Sequence, residues 1–126
     1  MSGNRVWLYS RAANGGNSAE LLEAQEHSMK QYAREHGFEV VGDSSDVGNG
    51  LTMDRPGLLN VRAAVMEKRV DVLLIRNISR LGRDVGQVIR YWKFLRDHGV
   101  RVFTVTDGEI YMDMASLLSE MFKEHG

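Results

Sequence analysis

The sequence of 126 residues contains no cysteine and a single proline, Pro56. Without cysteine the chain can form no disulfide, carries no thiol nucleophile and offers no thiolate to zinc. Its histidines are scattered, with no carboxylate at ligand spacing: His27, His36, His98 and His125. We therefore expect no metal site and no cofactor, and we place each histidine on a helix surface.

Long apolar runs are also missing. No stretch approaches the roughly 18 apolar residues of a transmembrane helix, and the N-terminus has neither the basic flank nor the apolar core of a secretory signal. These absences predict a cytoplasmic chain without a membrane partner. With 43% hydrophobic residues in 126, the chain has the size of one domain with one moderate core and leaves no room for a second globular domain.

The chain as a whole lacks a large excess of charge of either sign, since its formal net charge is −1. Its distribution is uneven, since residues 76–101 hold seven arginine and lysine residues against Asp84 and Asp97, a net charge of +5. A basic segment of this kind is a local footprint for a polyanion, because phosphate attraction depends on the local potential. A solvated helix face is the simpler alternative for the same charges.

Strand and helix patterns alternate along the chain. Short apolar runs predict strands at residues 6–9, 38–41, 71–75 and 100–105. Apolar residues at helical spacing predict helices capped by Ser18, starting at Pro56 and running to about residue 68, and spanning about residues 85–97. This alternation indicates an α/β domain with a largely parallel sheet and right-handed crossovers. The most apolar run, "DVLLI", is expected at the sheet centre, covered on both faces.

Two further segments stand out. Residues 43–54, rich in glycine, serine and aspartate, predict a loop of about ten residues, longer than the usual connection and therefore mobile or functional. Residues 112–124 predict a helix with an apolar stripe formed by Met114, Leu117, Leu118 and Met121. That stripe packs either on the domain's own sheet or on a second copy of the chain.

Arginines occur in the segments that follow the predicted strands, where ligands bind in parallel sheets. Arg11 follows the first strand, Arg55 ends the long loop, and residues 80–84, "RLGRD", follow the central strand. Clustered guanidiniums repel one another unless an anion neutralises them, and their planar N–H forks suit phosphate oxygens. The sequence therefore predicts a phosphate site, unless the arginines instead form salt bridges with Asp43, Asp46, Asp54 and Asp84. The loop "NGGNS" lacks the Gly-Lys-Ser/Thr of a P-loop, which disfavours a nucleotide hydrolase.

Five motifs in order resemble the catalytic domain of the serine recombinases, the resolvase/invertase group of site-specific DNA recombinases: "YSRAA", "LLEAQ", "DRPGL", "RLGRD" and "GVRVFTVTDGEI". The resemblance covers about residues 5–110. It implies a three-layer α/β/α sandwich with a mixed, mostly parallel sheet, and cleavage of DNA through a covalent phosphoserine without metal. It also implies a catalytic domain over residues 1–110, the start of a dimerisation helix over residues 111–126, and DNA and further copies of the chain as partners.

The resemblance also assigns the site. The positions that match the family's site residues are Arg11, Gln25, Arg55, Arg80, Arg83 and Asp84, and the four arginines would hold the scissile DNA phosphate and stabilise its pentacovalent transition state. The family's first-strand pattern is Tyr-x-Arg-x-Ser, and the position of its nucleophilic serine is occupied here by Ala13. A methyl group cannot attack phosphorus. Ser79 is a second departure, since the family usually has an acid before the first arginine of "RLGRD".

Two interpretations of Ala13 follow. Strand alternation places Arg11 and Ala13 on one face and Ser10 on the other, which favours an inactive site, whereas Ser18 becomes a candidate nucleophile only if the glycine loop folds back. The chain is then either a recombinase catalytic domain that acts on DNA phosphodiesters, or an inactive recombinase-like DNA-binding or regulatory protein that dimerises with active relatives. Family members usually continue into a separate DNA-binding domain, and residues 1–126 contain none, so we expect phosphate contacts that position DNA without reading its sequence.

Overall fold

The computed structural model describes residues 3–111. In this range the chain forms the strands β1 (Arg5–Ala12), β2 (Glu39–Val47), β3 (Val72–Ile75), β4 (Arg101–Thr104) and β5 (Gly108–Glu109). The α-helices are α1 (Ser18–Glu35), α2 (Pro56–Met66) and α3 (Val85–Asp97), and a short 3-10 helix, Ile78–Arg80, follows β3. The alternation of strands and helices confirms the predicted α/β class.

The strands form one sheet in the order β2-β1-β3-β4-β5. All neighbouring pairs are parallel except β4 and β5, which are antiparallel, so the sheet is mostly parallel and mixed, as predicted. The central strand is β3, and all four of its residues are buried. Leu73 and Ile75 face one half of the core, and Val72 and Leu74 face the other, which confirms that this strand is covered on both sides.

Helices cover both faces of the sheet and complete three layers. On one face, α1 packs through Met29 and Ala33. On the other face, α2 and α3 pack through residues that include Leu58 and Leu95. Leu58 and Leu95 are at most 1% exposed, and full burial of each contributes roughly 1.5–3 kcal/mol. This packing fixes where the carboxyl ends of β1 and β3 meet the helix N-termini.

Two predicted boundaries were wrong. Residues 43–54 are not all loop, because β2 continues to Val47 and pairs with β1 along its whole length. Strand pairing here overrides the low strand propensity of glycine, serine and aspartate, and the connecting loop covers only residues 48–55. Ser18 does not cap α1, because the carbonyl of Asn17 accepts the first helical hydrogen bond, from Leu21 N (3.0 Å), which makes Asn17 the N-cap and Ser18 the first helical residue.

The predicted terminal helix at residues 112–124, with its apolar stripe, lies outside the described residues. The two-residue strand β5 and the 3-10 helix after β3 were not predicted, since both are too short to carry a periodic pattern. Among residues 3–111, no helix combines the length and apolar character needed to cross a bilayer. The same part of the chain contains no group of three or more histidine, aspartate or glutamate side chains arranged to hold a metal ion.

Candidate functional site

The site lies at the carboxyl edge of the sheet, between β1 and β3. From β1 the chain passes through α1 to β2 on one side, and from β2 it returns through α2 to β3 on the other side. Such a reversal of strand order leaves a crevice where neighbouring loops diverge, and ligands bind there in open α/β sheets. The segments that reach this crevice are residues 13–17 after β1, 48–55 after β2 and 76–84 after β3.

Arg11 lies at the end of β1 and is only 2% exposed. Its guanidinium donates three hydrogen bonds to backbone carbonyls, from Nη1 to Gly48 O (2.7 Å), from Nη2 to Ser79 O (2.8 Å) and from Nε to Arg80 O (3.2 Å). The side chain therefore ties the loop after β2 to the turn after β3. Arg11 holds the site together in addition to bringing a positive charge to it.

Gln25 supports the same arginine from α1. Its Oε1 accepts from Arg11 N (3.1 Å), and its Nε2 donates to Arg11 O (2.8 Å). Because β1 pairs with β3 only over residues 6–8, the end of β1 has no neighbouring strand on that side, and the buried amide of Gln25 supplies the missing partners. Gln25 thus acts through the backbone of Arg11.

Two more arginines reach the same turn. Arg80 Nη1 donates to Arg11 O (3.2 Å), and Arg55 Nη2 donates to Leu81 O. Arg55 is 7% exposed, and its Nε and Nη1 have no hydrogen-bond partner within residues 3–111. Three guanidiniums therefore contact the backbone of residues 11 and 79–81, and one of them keeps buried donors available.

Gly50 connects the loop after β2 to two of the arginines. It has a φ of +79°, and a β-carbon at this position would lie 2.8 Å from Arg11 Cζ, so only glycine fits here without displacing Arg11. Its carbonyl accepts from Arg83 N (2.9 Å). The Arg83 side chain is exposed, and the next residue, Asp84, caps α3 by accepting from Gln87 N (3.0 Å). In this structure Asp84 is a helix cap.

We call Arg11, Arg55, Arg80 and Arg83 the arginine site. Burial, and after it the positive charges of Arg55, Arg80 and Arg83, together lower the pKa of Arg11 to about 10. Within the described residues, none of Arg11, Arg55 and Arg83 forms an ion pair with a carboxylate. For these three arginines the structure does not support the alternative of salt bridges to Asp43, Asp46, Asp54 and Asp84, and their charge stays available to an anion.

A buried network beside the site was missed in the sequence. Asp46 accepts from Tyr9 Oη (2.7 Å) and from Gly57 N (2.8 Å). Burial and the hydrogen bond to Asp46 raise the pKa of the Tyr9 phenol. This network holds the N-terminus of α2, and with it Arg55, against the sheet. In the sequence, Asp46 lies in a polar stretch that is typical of a loop. Alternation along β2 is the one signal that its side chain points inward.

Ala13, the residue predicted to occupy the nucleophile position, lies just beyond the end of β1. It is the first residue after the strand and is exposed. Ser10 is 5% exposed and lines a cavity of about 40 Å³ with Leu8 and Met29, on the α1 side of the sheet. Ser18 begins α1. Ser10 is therefore buried on the face of the sheet opposite to that of Arg11. Ala13 follows the end of β1, two residues after Arg11.

Comparisons with known protein sequences give consistent matches. The sequence profile of the family described as "Resolvase, N terminal domain" matches residues 6–125. Transposon Tn3 resolvase from Escherichia coli is 31% identical over 104 residues, which are 82% of this chain and 51% of that protein. The R46 site-specific recombinase from Escherichia coli is 31% identical over 120 residues, which are 91% of this chain and 58% of that protein. The chain spans about half the length of these relatives.

Solved structures share the fold. The N-terminal catalytic domain of TP901-1 integrase has a TM-score of 0.76 at 21% identity, over 96% of this chain and 93% of that chain. The C-terminal catalytic domain of ISC1926 TnpA, an IS607-like serine recombinase, has a TM-score of 0.75 at 26% identity, over 95% of this chain and 79% of that chain. Together with the family profile and the five motifs, these matches show that the chain belongs to the serine recombinases, as a resolvase N-terminal domain.

Proposed function

We propose that this domain binds the phosphodiester backbone of DNA at the arginine site, as part of a site-specific recombination system. The observation that carries the proposal is the convergence of Arg11, Arg55 and Arg80 on one turn at the switch point of the sheet. A phosphate is the natural ligand of such a cluster, because planar guanidinium forks match its oxygens and its charge relieves their repulsion. The relatives named above, a transposon resolvase and a site-specific recombinase, favour DNA as its source.

The arginines also suit the chemistry of phosphoryl transfer. Negative charge builds up on the equatorial oxygens as a nucleophile attacks phosphorus, and fixed positive groups stabilise that state when they are already in place. Arg11 is held by three carbonyls and by Gln25, so its position requires no rearrangement. The buried Nε and Nη1 of Arg55 are donors that a bound phosphate oxygen would satisfy.

We infer that the domain binds DNA without cleaving it, because Ala13 offers no oxygen to form a bond to phosphorus. Phosphate binding and nucleophilic attack depend on different residues, so the loss of a hydroxyl at position 13 leaves the electrostatic part intact. Such a domain would take part in recombination as an inactive partner of active relatives.

An assay for a covalent protein–DNA adduct tests this inference. The domain is fused to a dimeric, sequence-specific DNA-binding domain, incubated with the matching duplex and resolved on a denaturing gel. We expect no adduct from the unmodified chain and a phosphoserine adduct from Ala13→Ser. Asn14→Ser, which adds a hydroxyl one residue further along, is the matched control and should form none. An adduct of the unmodified chain mapped to Ser10 or Ser18 would overturn the assignment of Ala13 and establish an active recombinase.

Self-association through the terminal stripe belongs to the same proposal. Strand exchange needs at least two copies of the domain, and the stripe, Met114, Leu117, Leu118 and Met121, offers apolar surface at helical spacing. Sedimentation should show a weak, concentration-dependent dimer that Leu118→Glu converts to a folded monomer. Ser119→Glu adds the same charge on the polar side of the predicted helix and should leave the dimer intact. Unfolding of Leu118→Glu would assign the stripe to the core of the domain.

A further inference from the structure

A second basic surface lies beside the arginine site, in a groove between α2 and α3. The groove has a volume of about 350 Å³ and is lined by Met53, Arg62, Gln87, Arg90, Tyr91 and Phe94. Its floor is formed by the aromatic side chains of Tyr91 and Phe94. Tyr91 is held against α2, because its Oη donates to Leu58 O (3.0 Å). The Arg62 guanidinium lies 4.4 Å from the centre of the Phe94 ring, where the π-face attracts the cation.

The charge of this groove is positive and is not neutralised by its own residues. No carboxylate is among its lining residues. Arg62 and Arg90 are both exposed, and within residues 3–111 neither forms an ion pair. Elsewhere on the surface, exposed arginines such as Arg69 and Arg96 are paired with acids. Two unpaired guanidiniums around an aromatic floor favour an anion that also has an apolar face.

The groove is continuous with the arginine site through the loop after β2. Met53 lies at one end of the groove, and its sulfur is 3.8 Å from Arg55 Nη2. Gln87 Nε2 donates to Leu51 O (3.3 Å), so α3 and this loop form one wall. A chain of phosphates that leaves the arginine site can therefore pass Met53 and enter the groove without leaving the protein surface.

We propose that the α2–α3 groove binds the DNA strand next to the phosphate held in the arginine site, with backbone phosphates on Arg62 and Arg90 and the apolar face of a deoxyribose against Met53. This inference rests on the proposed function and extends it to a second site. A DNA strand repeats an anion beside an apolar sugar, and a positive groove can follow such a backbone through phosphate contacts. A second copy of this chain is a weaker candidate, because it would have to bring carboxylates to both arginines.

Fluorescence anisotropy of a short labelled DNA duplex, measured with the 126-residue chain over a range of salt concentrations, tests the groove. Each phosphate contact contributes about 0.9 to the slope of log affinity against log salt. The double variant Arg62→Gln/Arg90→Gln should therefore reduce the magnitude of the slope by about 2. The matched double control Arg34→Gln/Arg69→Gln removes two exposed charges from the opposite edge of the sheet and should leave the slope unchanged. Arg62→Lys/Arg90→Lys keeps the charges and should retain most of the slope.

Arg83→Gln separates the groove from the arginine site. If Arg83→Gln and Arg62→Gln/Arg90→Gln each reduce the magnitude of the salt slope, and the two reductions add in the combined variant, two sites on one DNA strand are supported. Loss in Arg83→Gln alone, with the groove variant behaving like its control, overturns the groove and leaves the proposed function standing. Absence of DNA binding by the unmodified chain at low salt overturns both. A change in sedimentation of the groove variant without a change in DNA affinity assigns the groove to a second copy of the chain and overturns the proposal.

Discussion

The side-chain amide of Gln25 forms hydrogen bonds with both backbone groups of Arg11, accepting from N (3.1 Å) and donating to O (2.8 Å). A residue of α1 thereby completes the hydrogen bonding of the end of β1, where β3 no longer pairs. Arg11 in turn fixes the carbonyls of Gly48 and Ser79. The order of the site therefore depends on a neutral side chain that need not touch a ligand.

Replacement of Gln25 should destabilise the fold. Gln25→Ala leaves the buried N–H of Arg11 without an acceptor and leaves its C=O with only the bond from Arg80, and an unsatisfied buried N–H costs about 1–3 kcal/mol. Gln31→Ala is the matched control on the same helix, because Gln31 donates only to the exposed Glu35, and it should cost less than about 0.5 kcal/mol. Urea unfolding measures both. Equal stabilities of the two variants would contradict the role given to Gln25.

Gly50 should tolerate no side chain. Gly50→Ala requires a φ of +79° and places a β-carbon 2.8 Å from Arg11 Cζ, so we expect a loss of about 1–2 kcal/mol from the backbone alone and a weaker affinity for phosphate as Arg11 moves. Gly48→Ala is the control in the same loop, since a β-carbon there meets no atom within 4 Å. Isothermal titration calorimetry with phosphate compares the phosphate affinities of the two variants. Equal phosphate affinities in both variants would show that Gly50 does not position Arg11.

Stability should fall in acid through Asp71. The bidentate hydrogen bonds from Arg5 (2.9 and 3.1 Å) lower the pKa of Asp71 from 3.8 to about 2. Because the folded pKa is depressed, this contribution is present above the unfolded pKa and is lost as the pH falls towards 2. Asp71→Asn should flatten the pH dependence of stability over that window. Asp97→Asn, in the exposed pair with Arg96, should leave it unchanged, and the same flattening in both variants would contradict the assignment.

Sulfate should stabilise the domain more than chloride at equal ionic strength. Burial and the neighbouring arginines lower the pKa of Arg11, because the folded chain holds its charge away from water and close to other cations, and an anion bound between them offsets that cost. At ten times its dissociation constant, a ligand of the folded state adds about 1.4 kcal/mol. Thermal unfolding with sulfate and with chloride measures the difference. Arg83→Gln should reduce the difference, whereas Arg34→Gln should preserve it, and identical curves in the two salts would argue against an anion site.

Much of the fold could be predicted because its signals are local. The four apolar residues of β3 and the amphipathic pattern of α3 specify their own positions, and their alternation with the other elements predicts a parallel sheet. The end of β2 could not be predicted, since residues 43–47 become a strand only through pairing with β1. That tertiary pairing is invisible to a propensity argument.

The residue types of the site could be predicted from the sequence, whereas the roles of the individual residues could be predicted less well. Arginines after successive strands predict a cluster at one sheet edge, and the structure brings Arg11, Arg55 and Arg80 to one turn. The support for these arginines comes from contacts far apart in sequence. The hydrogen bonds of Asp46 to Tyr9 and Gly57, and the contact of Gly50 with Arg11, depend on how three loops meet, which no local pattern encodes.

The claim that DNA phosphates bind at the arginine site is tested most directly by a nuclear magnetic resonance titration of the isotopically labelled domain with a short DNA duplex. The largest changes in backbone amide shifts should occur at Gly50, at Arg83 and in the turn at residues 79–81, and they should diminish as salt is added. Changes confined to the opposite edge of the sheet, around Arg34 and Arg69, with none in these segments, would contradict the claim.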